Sequence, residues 1–117
     1  MRKIVTLLLF LASSLVWAGA PVWIDVRTPE EYAQDHLQGV DTLIPYEQIS
    51  HKIAELNLSK DTEINLYCRS GKRAGVAKQA LESLGYTKVY NRGGLNDARA
   101  YVVSHPESCQ LCAQVTH

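Results

Sequence analysis

Residues 68–73 carry the strongest chemical signal in the chain, a cysteine followed at once by three cations. The run is Cys68-Arg69-Ser70-Gly71-Lys72-Arg73, and no acidic residue occurs between Ile64 and Leu81. Such a positive field stabilises a thiolate, which is the nucleophilic form of cysteine. The segment therefore predicts a nucleophilic Cys68 that acts on an anionic substrate. The alternative is an inert cysteine that ends a buried strand.

Two predicted elements position this cysteine. Residues 64–67 are apolar or aromatic apart from Asn65, which predicts a short buried strand. After the loop, apolar residues recur on one helical face, and Gly85 is a terminating glycine. These apolar residues are Val76, Ala77, Ala80, Leu81 and Leu84. Cys68 is thus expected between a strand and a helix N-terminus, where backbone amides and the helix dipole bind anions.

The remaining elements alternate between strand and helix. Thr28 is a predicted helix cap, followed by Pro29 in the first turn and by Glu31, which completes a capping box. Gly93 and Gly94 predict a turn with unusual dihedral angles. The other predicted strands are residues 22–26, 43–44 and 88–90, and the later predicted helices are residues 46–58 and 95–103. This alternation favours an α/β fold, in which helices cover both faces of a small, mainly parallel sheet.

The cysteine loop resembles the six-residue active-site loop of rhodaneses, the thiosulfate sulfurtransferases. The resemblance extends over residues 22–103. In size and layout, the chain is similar to secreted single-domain rhodaneses of the phage-shock type. Its other motifs are Trp23-Ile24-Asp25-Val26-Arg27 with Pro29-Glu30-Glu31-Tyr32, His36-Leu37-Gln38-Gly39 with Ile44-Pro45, and Asn91-Arg92-Gly93-Gly94-Leu95. One departure is the five residues between Gly39 and Pro45, where the family usually has four. The resemblance implies a rhodanese-like single domain.

The resemblance also implies a function and a role for each loop residue. Cys68 would take the outer sulfur of thiosulfate or a polysulfide as a persulfide, then pass it to cyanide or a thiol. The amides of residues 69–73, which include those of Ser70 and Gly71, would hold the charge of the terminal sulfur. Arg69 and Lys72 would attract the sulfonate group, and Arg73 would brace the loop. We expect no cofactor, and we expect a monomer.

Two other classes of protein fit parts of the pattern. Cysteine phosphatases and arsenate reductases place a cysteine in an anion cradle with the spacing C-x5-R. Here the spacing from Cys68 to Arg73 is C-x4-R, and by resemblance this shorter loop suits a sulfur atom better than a phosphoryl group. The second alternative is a persulfide-carrying or redox partner module with little turnover of its own.

The first 18 residues have the pattern of a secretory signal peptide. A positive start, Met1-Arg2-Lys3, precedes an apolar run, and Val16-Trp17-Ala18 fits a small-residue cleavage site. The 117-residue chain balances 12 basic against 12 acidic residues, so loss of the leader leaves 10 against 12. That composition argues against nucleic-acid binding. We expect a periplasmic protein with no membrane attachment after cleavage, and a rhodanese domain over residues 21–103.

Residues 104–117 form a predicted C-terminal tail with a C-x2-C pair. His105, Cys109, Cys112 and His117 are possible zinc ligands by type, but they lie within 13 residues and have no intervening core. Cysteine pairs in secreted chains more often close disulfides, and the small loop favours a Cys109–Cys112 bond. We therefore expect no metal.

Two histidines and one pair of opposite charges are further candidates for functional roles. His36 and His51 lie outside the loop, so neither is expected to act as the base. Asp25 and Arg27 are expected to form a structural ion pair beneath the loop.

Overall fold

A parallel sheet is the centre of the computed structural model, which describes residues 19–109 and 111–112. In this part of the chain the sheet has four strands in the order β2-β1-β3-β4, and all neighbours are parallel. The strands are β1 (Val22–Asp25), β2 (Thr42–Leu43), β3 (Ile64–Cys68) and β4 (Val89–Gly94). The helices are α1 (Pro29–Gln34), α2 (Ile49–Lys52), α3 (Lys72–Ser83) and α4 (Leu95–Ser104). The predicted α/β class is confirmed.

Strand β3 lies in the middle of the sheet and is buried along its whole length. Because side chains alternate across a strand, Leu66 and Cys68 face one apolar cluster, together with α2 and α3. Tyr67 faces the other cluster, which contains Trp23 and residues of α4. Helices therefore cover both faces of β3.

Helix α3 ends where the sequence indicates, but its buried face is different from the predicted one. Gly85 has a φ of 102°, its N–H donates to Glu82 O, and the N–H of Tyr86 donates to Leu81 O. These two bonds close a Schellman turn. The buried residues are Ala74, Ala77 and Leu81, whereas Val76 and Leu84 are exposed. The assignment of Val76 and Leu84 to the apolar face was wrong, because the sheet contacts the face that carries Ala74.

Strand β2, the predicted helix over residues 46–58 and strand β4 also differ from the sequence prediction. Strand β2 spans Thr42–Leu43 and not residues 43–44, since Ile24 pairs with Thr42 and Asp25 with Leu43. Residues 46–58 form no single helix; 3-10 turns at Tyr46–Gln48 and Ile53–Leu56 flank the short α2, and Asn57 ends the run with a left-handed φ of 53°. Strand β4 continues through the predicted glycine turn to Gly94, which pairs with Cys68.

Helix α1 is joined directly to the cysteine loop. The predicted capping box is present, because Thr28 Oγ1 accepts from the N–H of Glu31 and the Glu31 carboxylate accepts from the N–H of Thr28. The same carboxylate receives two bonds from the guanidinium of Arg73, at 2.9 and 3.0 Å. These bonds to Arg73 and the backbone bond from Thr28 lower the pKa of Glu31 to about 2. Arg73 therefore fixes the loop to α1.

The described part of the tail packs against the sheet. Cys109 and Cys112 are joined by a disulfide and are buried in the same cluster as Trp23. The indole Nε1 of Trp23 donates to Ser108 O at 2.8 Å. A Cβ atom on Gly39, which has a φ of 92°, would meet the backbone N of Cys112 at 2.5 Å. The disulfide turn thus occupies a site that only glycine leaves open.

The proposed signal peptide lies outside the described residues. Among the residues that are described, no helix has the length and apolar character needed to cross a membrane.

We predict that the Glu31–Arg73 pair stabilises the fold above pH 4.5. The folded pKa of Glu31 lies below its ordinary value of 4.5, so its contribution is complete above that pH and declines as the pH falls towards 2. Glu31→Gln should lower the free energy of unfolding by about 1 kcal/mol at pH 6, and by less at pH 3. Urea unfolding at both pH values measures this. Glu82→Gln, which breaks the more exposed Lys78–Glu82 pair, is the control; an equal loss in both variants would contradict the prediction.

We also predict that the disulfide turn holds the tail against Trp23. The double variant Cys109→Ser/Cys112→Ser should lower the free energy of unfolding by about 2 kcal/mol, as expected for closure of a very short loop. The chain has two tryptophans, Trp17 and Trp23, so a chain that starts at residue 19 reports on Trp23 alone. Its fluorescence should shift to longer wavelength in the double variant. An unchanged spectrum and stability would exclude this role, and non-reducing peptide mapping tests the pairing itself.

Candidate active site

Cys68 is buried at the carboxyl end of β3, and its sulfur contacts the start of α3. Sγ accepts hydrogen bonds from the N–H of Gly71 at 2.9 Å and from the N–H of Ala74 at 3.3 Å. Gly71 is the N-cap residue, and its position offers no side-chain hydrogen bond to the helix. The sulfur therefore satisfies amides that a helix N-terminus leaves without partners. This arrangement favours a negative charge on Sγ, because amide dipoles and the helix dipole point towards it.

The amide of Ala74 lies outside the set that sequence reasoning assigned to sulfur binding. That set, residues 69–73, was expected to hold the terminal sulfur of a persulfide and stays a prediction. The position of Ala74 in the sequence could have indicated this bond. Ala74 is the third residue of α3, whose N–H usually donates to a capping side chain, and Cys68 takes the place of that side chain.

Strand β4 contacts the loop through one side-chain hydrogen bond and one close backbone approach. Asn91 donates from Nδ2 to Gly71 O at 2.8 Å, which holds Gly71 at its φ of 99°. A Cβ atom on Gly94 would collide with the carbonyl of Arg69. The N–H of Gly94 donates to Asp97 Oδ2 at 2.9 Å. Glycine at position 94 is therefore required for β4 to approach the loop.

The cations of the loop fall into two groups. Arg73 is engaged with Glu31, as described above. Arg69, Ser70 and Lys72 are exposed, and their side chains form no hydrogen bond or ion pair with any residue that the structure describes. Two positive charges next to Cys68 are thus available to an anion in solution.

A buried polar network joins the carboxyl ends of β1 and β3. Asp25 accepts from Arg27 Nη2 at 2.7 Å and from Tyr67 Oη at 2.7 Å, and Tyr67 Oη in turn accepts from the N–H of Leu37. The bond with Asp25 raises the pKa of Arg27. Burial raises the pKa of Tyr67, so this phenol stays neutral. The predicted Asp25–Arg27 pair is therefore present, but sequence reasoning missed the hydroxyl of Tyr67, since the strand pattern indicated only its burial.

The two candidate histidines take no part in the hydrogen bonding described for the sulfur of Cys68. His36 stacks on Tyr32 at a centroid distance of 3.9 Å, and its Nδ1 lies 2.8 Å from Tyr32 O. His51 is exposed at the end of the short α2. Neither ring makes a described hydrogen bond to Cys68.

The two tail cysteines and Cys68 belong to opposite sides of the sheet. Cys68 packs in the cluster below α2 and α3, whereas Cys109 and Cys112 pack in the cluster with α4. Among the described residues, no three His, Cys, Asp or Glu side chains converge as metal ligands. His117, one of the possible zinc ligands, lies outside the described residues.

Comparison with known proteins identifies the family. The sequence model of the Rhodanese-like domain matches residues 11–100. The thiosulfate sulfurtransferase PspE of Escherichia coli (strain K12) is 43% identical over 91 residues, which is 78% of this chain and 86% of that protein. A sulfurtransferase of Allochromatium vinosum is 39% identical over 74 residues, covering 62% of this chain and 65% of its own length.

Solved structures lead to the same fold. A structure described as rhodanese with anions from E. coli is 44% identical, has a TM-score of 0.62, and the match covers 67% of this chain and 91% of that one. The human single-domain sulfurtransferase TSTD1 is 27% identical with a TM-score of 0.56, over 77% of this chain and 90% of its own. The family model and the E. coli relative agree with the buried cysteine sulfur at a helix N-terminus. The chain belongs to the rhodanese-like domain family.

Proposed function

We propose that the protein is a thiosulfate sulfurtransferase that carries sulfur on Cys68. The observation that supports this most directly is the pair of amide bonds from Gly71 and Ala74 to Cys68 Sγ. They orient the sulfur and direct two amide dipoles at it. The activity named for the E. coli relative at 43% identity supports the same assignment.

In the first step, the Cys68 thiolate attacks the outer sulfur of thiosulfate. A bond forms between Sγ and that sulfur, the bond to the sulfonate sulfur breaks, and sulfite leaves with the electron pair. The terminal sulfur of the new persulfide carries negative charge, which the loop amides of residues 69–73 would stabilise as an oxyanion hole stabilises oxygen. A polysulfide would react in the same way.

The exposed cations supply the attraction for the donor. Arg69 and Lys72 have no described partner, so they are free to attract the sulfonate group. Arg73 is held by Glu31 and serves the loop as a brace. In the second step a thiophilic acceptor, cyanide or a thiol, removes the terminal sulfur and restores the thiolate.

The engagement of Arg73 disfavours a phosphatase or arsenate reductase. Those enzymes need an arginine that closes on the bound oxyanion, whereas the guanidinium of Arg73 is bonded by both of its Nη atoms to Glu31. A p-nitrophenyl phosphate assay beside a thiosulfate–cyanide assay separates the two activities.

A sulfur carrier with little turnover is the second candidate. One relative, 37% identical over 68 residues, is the putative sulfur carrier protein YrkF of Bacillus subtilis, and the match covers 58% of this chain but 35% of that protein. A stable persulfide with negligible turnover on small acceptors would favour this candidate over the enzyme.

The proposal also includes location and assembly. The leader-like residues 1–18 would direct export to the periplasm, and the mature protein would act there as a monomer. Its rhodanese domain would span residues 21–103, followed by the tail with its C-x2-C pair. Edman sequencing of protein from a periplasmic extract tests the cleavage after Ala18.

We predict that Cys68→Ser abolishes sulfur transfer and leaves the fold intact, because a hydroxyl fits the site but is a poor nucleophile at neutral pH. Intact-mass measurement after thiosulfate treatment should show a gain of roughly 32 Da, one sulfur atom, on the unaltered protein and none on the variant. Turnover of the variant within a few-fold of the unaltered protein would rule out this mechanism.

We predict that Arg69→Ala and Lys72→Ala each raise the KM for thiosulfate by about five-fold and change kcat less, since these charges attract the donor. The effect should shrink at high salt because exposed charges are screened. Lys78→Ala removes a cation from the second turn of α3 and serves as the control. An unchanged KM in both loop variants would mean that the backbone amides alone bind the donor.

A further inference from the structure

A large cavity opens beside the loop, at the carboxyl edge of the sheet. Its volume is about 550 Å³. Gly94, which pairs with Cys68 across the sheet, and Arg69, the residue after Cys68, both line it. The cavity therefore begins one residue away from the nucleophile. Its other described lining residues come from the end of β1, from α1 and from the start of α4: Arg27, Glu31, Gln34, Asp35, Leu95, Asn96, Asp97 and Arg99.

The size of the cavity exceeds what the smallest substrates need. A cyanide ion has two heavy atoms and displaces roughly one or two waters of about 30 Å³ each. A cavity of 550 Å³ lies in the range that holds organic ligands. The cavity beside the loop therefore has room for a co-substrate larger than cyanide.

Most of the charges around the cavity already have partners. Arg27 is bonded to Asp25, Glu31 to Arg73, and Arg99 to Asp35 at 2.6 Å. These pairs leave little net charge on the wall, so a ligand with large net charge gains little from them.

Two lining groups of opposite sign, Arg69 and Asp97, form no ion pair with any described residue. Arg69 makes no ion pair with a described residue, and its guanidinium has donors to offer. Asp97 uses Oδ2 to accept from the N–H of Gly94, while Oδ1 accepts no hydrogen bond from any residue in the described part of the chain. One free cation and one half-used carboxylate on the same cavity match a ligand that carries both a carboxylate and an ammonium group.

We propose that this cavity is the acceptor subsite, and that it takes a small zwitterionic thiol of the amino-acid or short-peptide class. The inference rests on the proposed function, since it assigns the acceptor of the Cys68 persulfide. Arg69 binds the carboxylate of the acceptor, Asp97 binds its ammonium group, and the thiol lies next to the loop.

The transfer itself is a displacement at sulfur. The acceptor thiolate attacks the terminal sulfur of the persulfide, and a new S–S bond forms between them. The bond from Cys68 Sγ to that sulfur breaks, and its electron pair stays on Sγ as the thiolate. The proton of the acceptor thiol goes to solvent, and no oxidant or reductant is consumed.

A series of four thiols tests the charge requirement. L-Cysteine carries both charges, cysteamine only the ammonium, 3-mercaptopropionate only the carboxylate, and 2-mercaptoethanol neither. With thiosulfate as donor and rates expressed per thiolate present, L-cysteine should exceed each of the others in kcat/KM by at least five-fold. Equal values across the series would overturn the proposal.

A bulky substitution tests the location. Asn96 lines the cavity, is exposed, and its side chain makes no hydrogen bond with a described residue. Asn96→Trp should lower the ratio of kcat/KM for glutathione to kcat/KM for cyanide by at least ten-fold. Gln79→Trp, at an exposed position of α3 away from the cavity, should leave that ratio within two-fold. An unchanged ratio in Asn96→Trp, with the same melting temperature as the unaltered protein, would place the acceptor elsewhere.

The controls separate this inference from the proposed function. If thiosulfate gives no persulfide mass on Cys68, the sulfurtransferase proposal fails, and the acceptor subsite fails with it. If the persulfide forms and cyanide removes it, but thiol preference is absent, only the acceptor subsite is wrong. A protein thiol as sole efficient acceptor would likewise contradict a small-molecule subsite.

Discussion

The reactive end of the molecule depends on the contact between the sulfur of Cys68 and the first amides of α3. A helix leaves its first N–H groups without partners inside the helix, and Gly71 has no side chain with which to cap them. Cys68 Sγ takes that role by accepting from Gly71 and Ala74. One contact therefore stabilises the helix start, orients the nucleophile and places amide dipoles against its sulfur. The strand before the cysteine is buried along its whole length. The sheet therefore fixes the position of the sulfur relative to the start of the helix.

That contact in turn requires backbone to approach backbone. The loop turns back through Gly71 with a left-handed φ, and Asn91 bonds its carbonyl. The end of β4 approaches Arg69 so closely that only glycine fits at position 94. Register between β3 and β4 shifts between Leu66 and Cys68, which is where the ladder gives way to the loop. This register shift between β3 and β4, together with the close approach at Gly94, shapes the loop that surrounds the sulfur.

The polar groups near the site are of two kinds: buried groups that hold the strands together, and exposed groups that are available to a ligand. Asp25, Arg27 and Tyr67 form a buried network in which the carboxylate has partners on both oxygens, and such a satisfied network holds strands in one arrangement. Arg69 and Lys72, by contrast, remain exposed beside the nucleophile. The cysteines are separated in the same way, because the sheet lies between Cys68 and the Cys109–Cys112 disulfide. An oxidised tail and a free thiol can therefore coexist in one small domain.

Local patterns in the sequence were sufficient for the strand before Cys68, the helix after it, the Thr28 capping box and the Gly85 stop. Each of these depends on residues within a few positions, where periodicity and capping chemistry act directly. The sequence did not indicate that Glu31 would bond Arg73, that Asn91 would bond Gly71, or that the tail would pack against Trp23. The sequence pattern also predicted the wrong helical face for Val76 and a single helix over residues 46–58. These features were decided by tertiary structure, because contacts between distant segments depend on how strands align and which helix face the sheet covers.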